Sequence, residues 1–245
     1  MDAVLQIRVP VIQYHKIDYP PPQAPVRGGF TPPKRFAKQM EHLKSSGYEF
    51  YTASELIEFY LQRGNFPARG LAITFDDGYL DNYLNAFPVL KQLGIKATMF
   101  VVPSCLGQTS TKAVPKGESA RPHMTREQVI EMHKFGIEFG SHTENHRLLH
   151  EIPKEEVRHE VESAKQELEG LLQVPCKTFA YPAGYYTPEA QGIIAEAGHI
   201  CAFSTTLGPK DSLDLFAINR MEILRRDKWL FQFRNKVNAL NNNSH

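Results

Sequence analysis

Residues 71–94 read LAITFDDGYLDNYLNAFPVLKQLG, and this stretch decides the fold. Leu71 to Phe75 form a short apolar run of the composition that predicts a buried strand. The turn-forming sequence Asp76-Asp77-Gly78 comes next, and apolar residues at helical spacing then continue as far as Gly94. The segment therefore predicts a strand, a loop and a helix in succession.

The same order recurs along the chain. Further strands are predicted at 9–14, 97–102, 137–141, 177–181, 199–203 and 218–223, and further helices at 125–136, 154–171 and 188–197. The helix at 125–136 opens with the Thr-x-x-Gln spacing of a capping box. Strands that alternate with helices of this length pair in parallel through right-handed crossovers. About seven strands are available, which predicts a barrel or near-barrel.

Residues 1–245 are predicted to form a single domain, because no change in composition marks a linker. Its core is expected at about 10–237, and the tail 238–245 is predicted to be disordered because it has little to bury. Two long loops, 17–33 and 103–122, are rich in proline or in small polar residues. Loops of this length in a compact domain are usually functional lids or disordered segments.

Composition narrows the class of protein. The chain is 42% hydrophobic and 22% charged, as in ordinary globular proteins, and 28 Lys and Arg balance 27 Asp and Glu. This balance gives no electrostatic basis for binding nucleic acid or an anionic membrane. No apolar run approaches the ~20 residues that span a bilayer, and the opening residues do not resemble a secretion signal. We expect an extracytoplasmic location if a signal sequence precedes this chain, and a cytoplasmic one otherwise.

The remaining cysteines, histidines and tryptophan carry structural predictions. Three widely spaced cysteines do not form a disulfide framework and are predicted to be small buried hydrophobic residues. Trp229 is predicted to pack in the core or in a groove. Five histidines are predicted to be surface or capping residues: His123, His133, His150, His159 and His199.

Ionisable residues cluster where predicted strands end. His15, Asp76 and Asp77 directly follow strands, and His142 and His146 follow another. The carboxyl ends of parallel strands meet at one edge, where sites are built. Taken singly, Asp-Asp-Gly is also a common turn, and two histidines four apart also occur on solvated faces or in cores. Their coincidence at strand ends favours a site.

The histidine pair predicts a metal site. A spacing of four places His142 and His146 on one side of a helical turn, and one carboxylate completes a set of three ligands. Three protein ligands leave coordination positions open, as in catalytic sites. Asp76 and Asp77 point in opposite directions if the chain stays extended, so one carboxylate can bind the cation while the other faces a substrate.

Two motifs resemble those of a known family. Residues 74–79 (TFDDGY) and 141–146 (SHTENH) look like the first two motifs of the polysaccharide deacetylases, also described as NodB-homology or carbohydrate esterase family 4 proteins. Both motifs match fully, in the expected order and at the expected separation. The resemblance covers roughly 10–237.

The third motif departs from the commoner form of the family. Residues 179–184 read FAYPAG, so Ala180 stands where many members have arginine. This variant, with Tyr14-His15 after the first strand, is similar to the branch that includes the poly-N-acetylglucosamine deacetylases. The late motif that contains Leu-x-His is absent, since the sequence has no histidine between His199 and His245.

The resemblance implies a fold and an activity. It implies a distorted (β/α) barrel in which Asp77, His142 and His146 bind Zn²⁺ or a similar divalent metal and Asp76 acts as the general base. The expected activity is removal of N-acetyl groups from an N-acetylglucosamine-containing polysaccharide or oligosaccharide. Two alternatives stay open: a hydrolase of a smaller amide, such as a formamide or cyclic ureide, and a catalytically weak glycan-binding member.

Three more residues have predicted roles. Amide hydrolysis also needs stabilisation of the oxyanion and a proton for the leaving amine, and the general base needs a fixed orientation. His15 is predicted to supply the proton, Arg220 to pair with Asp76, and the N–H of Ala183, by alignment with the family, to point at the oxyanion. Each has a structural alternative: a hydrogen bond to a loop or to Asp76, an exposed arginine, and a Pro-Gly turn, respectively.

Overall fold

The structure is a computed structural model that describes residues 9–21, 29–113, 119–205, 213–224, 227 and 229–241. The strands in these ranges are β1 (Val11–Tyr14), β2 (Glu49–Tyr51), β3 (Gly70–Phe75), β4 (Thr98–Val101), β5 (Thr109–Ser110), β6 (Arg121–Pro122), β7 (Glu138–Ser141), β8 (Thr178–Ala180), β9 (Cys201–Ser204), β10 (Ile218–Asn219) and β11 (Met221–Glu222). The α-helices are α1 (Pro33–Ser45), α2 (Ala53–Arg63), α3 (Phe87–Leu93), α4 (Arg126–Phe135), α5 (Lys154–Leu172), α6 (Pro188–Glu196) and α7 (Leu230–Asn241). A π-helical turn at Asn82–Ala86 leads into α3, and 3₁₀ turns lie at Pro103–Cys105 and Pro182–Gly184.

Parallel strands form a nearly closed barrel. Their order is β10-β9-β8-β7-β4-β3-β1-β11, with β2 also paired to β3, while β5 and β6 form a separate antiparallel pair. Strands β10 and β11 lie at opposite ends of this order, yet only Arg220 separates them in the chain. The path contains eight strands rather than seven because the strand predicted at 218–223 is divided at Arg220.

Alternation along the strands sorts the core into an inner and an outer layer. In β3, Leu71, Ile73 and Phe75 pack with residues of the helices α1, α3 and α4, whereas Ala72 belongs to the inner cluster. That inner cluster also includes Val11, Phe100, Ala180, Phe203 and, from α2, Leu56 and Ile57. The barrel interior is therefore filled with side chains, and a site can form only near its ends.

The predicted helices are present at the expected places. Thr125 and Gln128 form the predicted capping box at the start of α4, each side chain accepting a hydrogen bond from the other residue's backbone N–H. Sequence reasoning did not identify α1, β2, α2 or α7. Helix α7 continues to Asn241, and Leu240 packs against the core, so the segment predicted as a tail begins as helix. Residues 242–245 lie outside the described residues.

The cysteines are buried and free, as predicted. Two of the histidines predicted to be surface or capping residues, His123 and His199, are instead buried, and their ring nitrogens make no hydrogen bond within the described part of the chain. Trp229 is 64% exposed, so the prediction that it packs in the core or a groove is wrong. Within the described ranges, none of the helices has the length and apolar character needed to span a bilayer.

Candidate active site

The residues predicted from the sequence meet at the carboxyl ends of the barrel strands. A pocket of about 670 Å³ there is lined by all of them except Arg220, and its wall includes His15, Asp76, Asp77, His142, His146 and Ala183. These residues follow β1, β3, β7 and β8. Arg220 is buried behind the wall and contacts Asp76. Parallel pairing thus brings together groups that lie far apart in the chain.

Asp77, His142 and His146 form a compact group of possible metal ligands. Oδ1 of Asp77 lies 3.5 Å from Nε2 of His142 and 3.3 Å from Nε2 of His146. One ligand atom from each residue fits within 4.8 Å of the others. Two ligands bound tetrahedrally to Zn²⁺ at its usual bond lengths are ~3.3 Å apart. The two distances from Asp77 to the histidines therefore fit a zinc ion bound by these residues.

Hydrogen bonding prepares two of these groups to bind a cation. Nδ1 of His142 lies 2.7 Å from the carbonyl oxygen of Ala180 and donates to it, so that Nε2 faces Asp77. Burial raises the pKa of Asp77, but hydrogen bonds from His142 and His146 outweigh this effect and hold that pKa well below its ordinary value. The carboxylate is therefore ionised, as a metal ligand must be.

The loops that carry these residues adopt a backbone conformation that the sequence did not predict. Five non-glycine residues in the described part of the chain have positive φ, and four lie at the site: Asp77 (74°), Thr143 (63°), His146 (57°) and Ala183 (55°). The histidine pair therefore converges through a left-handed loop and not on a helical turn. The backbone of Asp77 is also left-handed, whereas the sequence-based prediction assumed an extended chain at both aspartates. Such strained residues persist only where their surroundings fix them.

Helix α5 fixes the loop between the two histidines. Glu160 is 4% exposed, and its Oε2 and Oε1 accept hydrogen bonds from the backbone N–H and the side-chain amide of Asn145, at 2.7 and 2.9 Å. The carbonyl oxygen of Glu160 also accepts from the N–H of Glu144, at 3.0 Å. One buried residue thus anchors the two residues directly before His146, which are Glu144 and Asn145.

Asp76 is held by an arginine and a glutamine. Nη1 and Nη2 of Arg220 each lie 2.7 Å from a different oxygen of Asp76, and Nε2 of Gln13 donates to Oδ2 at 2.6 Å. Burial raises the pKa of Asp76, but the positive charge of Arg220 is the main effect that opposes it and leaves the pKa below its ordinary value. The Asp76 carboxylate is therefore ionised and fixed in orientation.

Arg220 occupies the barrel interior and not the surface. Its guanidinium lies 5.3 Å from the ring centroid of Phe100 and 5.8 Å from that of Phe203. Its side chain has no exposed area. The predicted pairing with Asp76 is thus present, and the alternative of an exposed arginine is wrong.

His15 lies in the same pocket, next to Asp76. Its Nε2 is 3.9 Å from Oδ2 of Asp76, beyond a direct hydrogen bond, and its side chain is 24% exposed. A Cβ on Gly29 would lie 3.0 Å from the His15 ring, so a glycine allows the loop to pass this close. The imidazole is therefore enclosed on one side and open to the pocket on another.

Ala183 is exposed in the wall of the pocket, at the centre of the Pro182–Gly184 turn. Gly184 fixes this turn against the next strand, because a Cβ there would lie 1.9 Å from Oγ1 of Thr205. The carbonyl of Gly184 also accepts a hydrogen bond from Oγ of Ser204 at 2.6 Å. The turn is thus held in place at its carboxyl side.

Sequence reasoning missed five polar residues of the pocket. They are Gln13, Lys16, Lys112, Thr205 and Glu222. Gln13 had a sequence signal, because it is a glutamine within the apolar run that predicts β1. Every position of β1 is buried in the structure. Lys16 is buried, with its ammonium 4.6 Å from the centroid of the Phe30 ring. Nothing in their sequence neighbourhoods distinguished Lys112 or Glu222.

Comparison with known proteins gives the family. A sequence model described as polysaccharide deacetylase matches residues 63–202, more than half of the chain. The matched segment contains Asp76, Asp77, His142, His146 and Ala183, whereas His15 and Arg220 lie outside it.

Individual relatives agree with this match. The Bacillus subtilis protein YxkH, named as a polysaccharide deacetylase, is 28% identical over 217 residues, which are 88% of this chain and 71% of that protein. The poly-beta-1,6-N-acetyl-D-glucosamine N-deacetylase of Staphylococcus aureus is 28% identical over 182 residues, and the match spans 69% of this chain but only 59% of that enzyme.

A solved structure agrees as well. Deacetylase PplD from Streptococcus pyogenes, solved in complex with acetate, superposes with a TM-score of 0.80 at 25% identity, covering 95% of this chain and 99% of that one. The family match, the barrel and the two full motifs at its carboxyl edge agree. The chain belongs to the polysaccharide deacetylase family.

Proposed function

We propose that this protein is a metal-dependent hydrolase that removes N-acetyl groups from an N-acetylglucosamine-containing polysaccharide or oligosaccharide. The observation that carries the proposal is that the neighbouring residues Asp77 and Asp76 have different partners in one pocket. Asp77 faces two histidines at ligand distances, while its neighbour Asp76 is ion-paired and free of that cluster. The name of the Staphylococcus aureus relative supports the sugar substrate.

Asp77, His142 and His146 would hold the metal, and Zn²⁺ accepts a set of one carboxylate and two imidazoles. A zinc ion with open positions supplies a water molecule of lowered pKa and polarises the acetyl carbonyl. Three protein ligands leave room for both water and substrate, unlike the closed four-ligand set of a structural zinc site.

Asp76 is the proton acceptor in this proposal. Its carboxylate is ionised, and Arg220 and Gln13 fix its direction, so it takes the proton of the attacking water without first reorienting. Arg220 is a positioning residue, because it acts through Asp76. It replaces the arginine that other family members carry at the place of Ala180.

His15 and Ala183 serve the later part of the reaction. The imidazole of His15 lines the pocket beside Asp76 and would give a proton to the nitrogen of the leaving amine. The N–H of Ala183, held in the left-handed turn, would donate a hydrogen bond to the oxygen that becomes negative.

The test is acetate release from N-acetylglucosamine oligomers by the zinc-loaded protein. We expect acetate from the wild type, and its loss on treatment with a chelator. Asp76→Asn should retain zinc and lose nearly all turnover, whereas His142→Ala should lose zinc by elemental analysis. His159→Ala, a change at an exposed histidine of α5, is the matched control and should retain both.

Other outcomes would contradict the proposal. Hydrolysis of formamide or a cyclic ureide with no acetate from the oligomers would indicate the smaller-amide enzyme. Oligomer binding without release of acetate would indicate a glycan-binding protein. Equal zinc content in the wild type and His142→Ala would remove His142 from the ligand set.

A further inference from the structure

Tyr185 and His150 form an exposed aromatic pair beside the pocket. The ring centroids are 5.1 Å apart and the planes meet at 55°. Tyr185 directly follows the Pro182–Gly184 turn, and His150 lies four residues after His146. The contact therefore joins the loop after β7 to the loop after β8, and each loop carries a residue of the candidate site.

The pair adjoins the pocket wall along the chain. Gly184 and Leu148 both line the pocket wall, and each is within two residues of a member of the pair. Tyr185 is two residues from Ala183, so their Cα atoms are at most ~7.6 Å apart. Tyr185 therefore extends from the same short turn that carries the N–H of Ala183.

The exposure of Tyr185 contrasts with its neighbours in the same segment. Tyr181 is 1% exposed, and Tyr186 packs against it with ring centroids 5.4 Å apart. Tyr185 is 52% exposed, and its ring makes its aromatic contact with His150. The segment thus buries Tyr181, partly buries Tyr186 and presents Tyr185 to solvent beside the pocket. A tyrosine held on a neighbouring ring offers contact area at a low cost in conformational entropy.

We propose that Tyr185 and His150 form an accessory subsite for the sugar residue next to the one that is deacetylated. One face of a pyranose ring carries C–H groups, which pack on an aromatic ring, while the hydroxyl groups at its edge suit the imidazole nitrogens of His150. This inference rests on the proposed function and adds to it, because the protein then recognises a chain of sugars and not a single one.

The test compares a long substrate with a short one. Tyr185→Ala should raise KM for an N-acetylglucosamine pentasaccharide roughly three- to tenfold, the size expected for one aromatic contact, with kcat nearly constant. The ratio of kcat/KM for the pentasaccharide to that for p-nitrophenyl acetate should fall by the same factor. Tyr185→Trp, which keeps an aromatic face, should restore the ratio.

A matched control and two outcomes keep the test decisive. Leu84→Ala removes another exposed apolar side chain, from the π-helical turn, and should leave the ratio unchanged. An equal fall in kcat/KM for both substrates would show that Tyr185 shapes the turn of Ala183. An unchanged ratio in Tyr185→Ala would also overturn the subsite.

Binding measurements separate this inference from the proposed function. If the wild type releases no acetate from either substrate, the proposed function fails, and the subsite is tested by calorimetric titration with the intact pentasaccharide. Tyr185→Ala should then weaken binding by the same three- to tenfold factor relative to the wild type. Equal Kd values for the two proteins, or no binding by the wild type, would overturn the subsite.

Discussion

Arg220 and Asp76 meet as a bidentate ion pair inside the barrel, with two N–O distances of 2.7 Å. Both side chains are buried, so each charge would be destabilising without the opposite charge of its partner. The guanidinium matches the carboxylate with two parallel hydrogen bonds, a geometry that a lysine ammonium does not reproduce. The pair therefore sets both the charge and the direction of the carboxylate at the site.

Arg220→Met should damage both stability and turnover. Removing one partner of a buried pair typically costs ~3–5 kcal/mol in the free energy of unfolding. Arg220→Lys should recover part of that stability while kcat stays low, because Asp76 loses its bidentate partner. Urea unfolding and the acetate assay measure the two effects, with Arg158→Met on the surface of α5 as control. Wild-type kcat in Arg220→Lys would contradict the positioning role.

His15→Ala should lower kcat by ~10²–10⁴-fold for the amide substrate, the usual contribution of a positioned acid, with zinc content unchanged. A leaving group that departs without a proton should not need this residue. We therefore expect a much smaller loss with p-nitrophenyl acetate than with the oligomer. Equal losses on the two substrates would indicate that His15 acts through Asp76 or through the pocket structure.

Glu160→Gln should weaken zinc binding although Glu160 does not touch the ligand set. The amide replaces one acceptor of the Asn145 hydrogen bonds with a donor, which releases the loop between His142 and His146. Changes in groups that orient metal ligands typically cost ~10–100-fold in affinity. Competition with a chromophoric chelator measures the Kd, and Glu156→Gln on the exposed face of α5 is the control. Equal zinc affinities for Glu160→Gln and the wild type would leave Glu160 with a purely structural role.

His199 should make the fold sensitive to acid. Burial, with a smaller effect from Lys165, lowers the pKa of His199 to about 3. An unfolded chain takes up this proton near pH ~6.5, so below that pH the unfolded state binds more protons and stability falls. The loss attributable to this residue is about 2 kcal/mol between pH 7 and pH 5.

His199→Gln should remove that part of the pH dependence. Unfolding free energies from urea titrations at the two pH values give the change, and His159→Gln, at an exposed histidine, should leave it as in the wild type. An unaltered pH dependence in His199→Gln would mean that His199 titrates alike in the folded and unfolded states.

The sequence predicted most of the strands and helices that position the site residues. Alternating apolar runs and helical patterns are local, and the rule that parallel strands share a carboxyl edge brought Asp76 and His142 together. Helix α1 was missed although Phe36, Met40 and Leu43 show helical spacing, because it begins after Pro32 without the polar N-cap residue that usually marks a helix start. His199 was misjudged because a polar residue after Gly198 is typical of the surface, whereas its ring packs 5.6 Å from that of Phe179.

The backbone detail of the site was beyond sequence reasoning. Left-handed φ at Asp77, Thr143 and His146 is imposed by tertiary contacts, such as those that Glu160 makes from a distant helix. The residue types signal it only weakly, since Asp and His adopt this conformation more often than most residues but glycine is its usual marker. The contact between Gln13 and Asp76 depends in the same way on the pairing of β1 with β3.

The break between β10 and β11 has a consequence for biosynthesis. Chains emerge from the ribosome N-terminus first, so a nascent chain that ends before Ile218 already contains β1 and β9, each with an edge that lacks its later partner. Such edges invite pairing with other chains. Asp76 also lacks its guanidinium until Arg220 is made. Synthesis of residues 218–222 thus provides the partner strands for both edges. The same residues supply Arg220, the positive charge that pairs with Asp76.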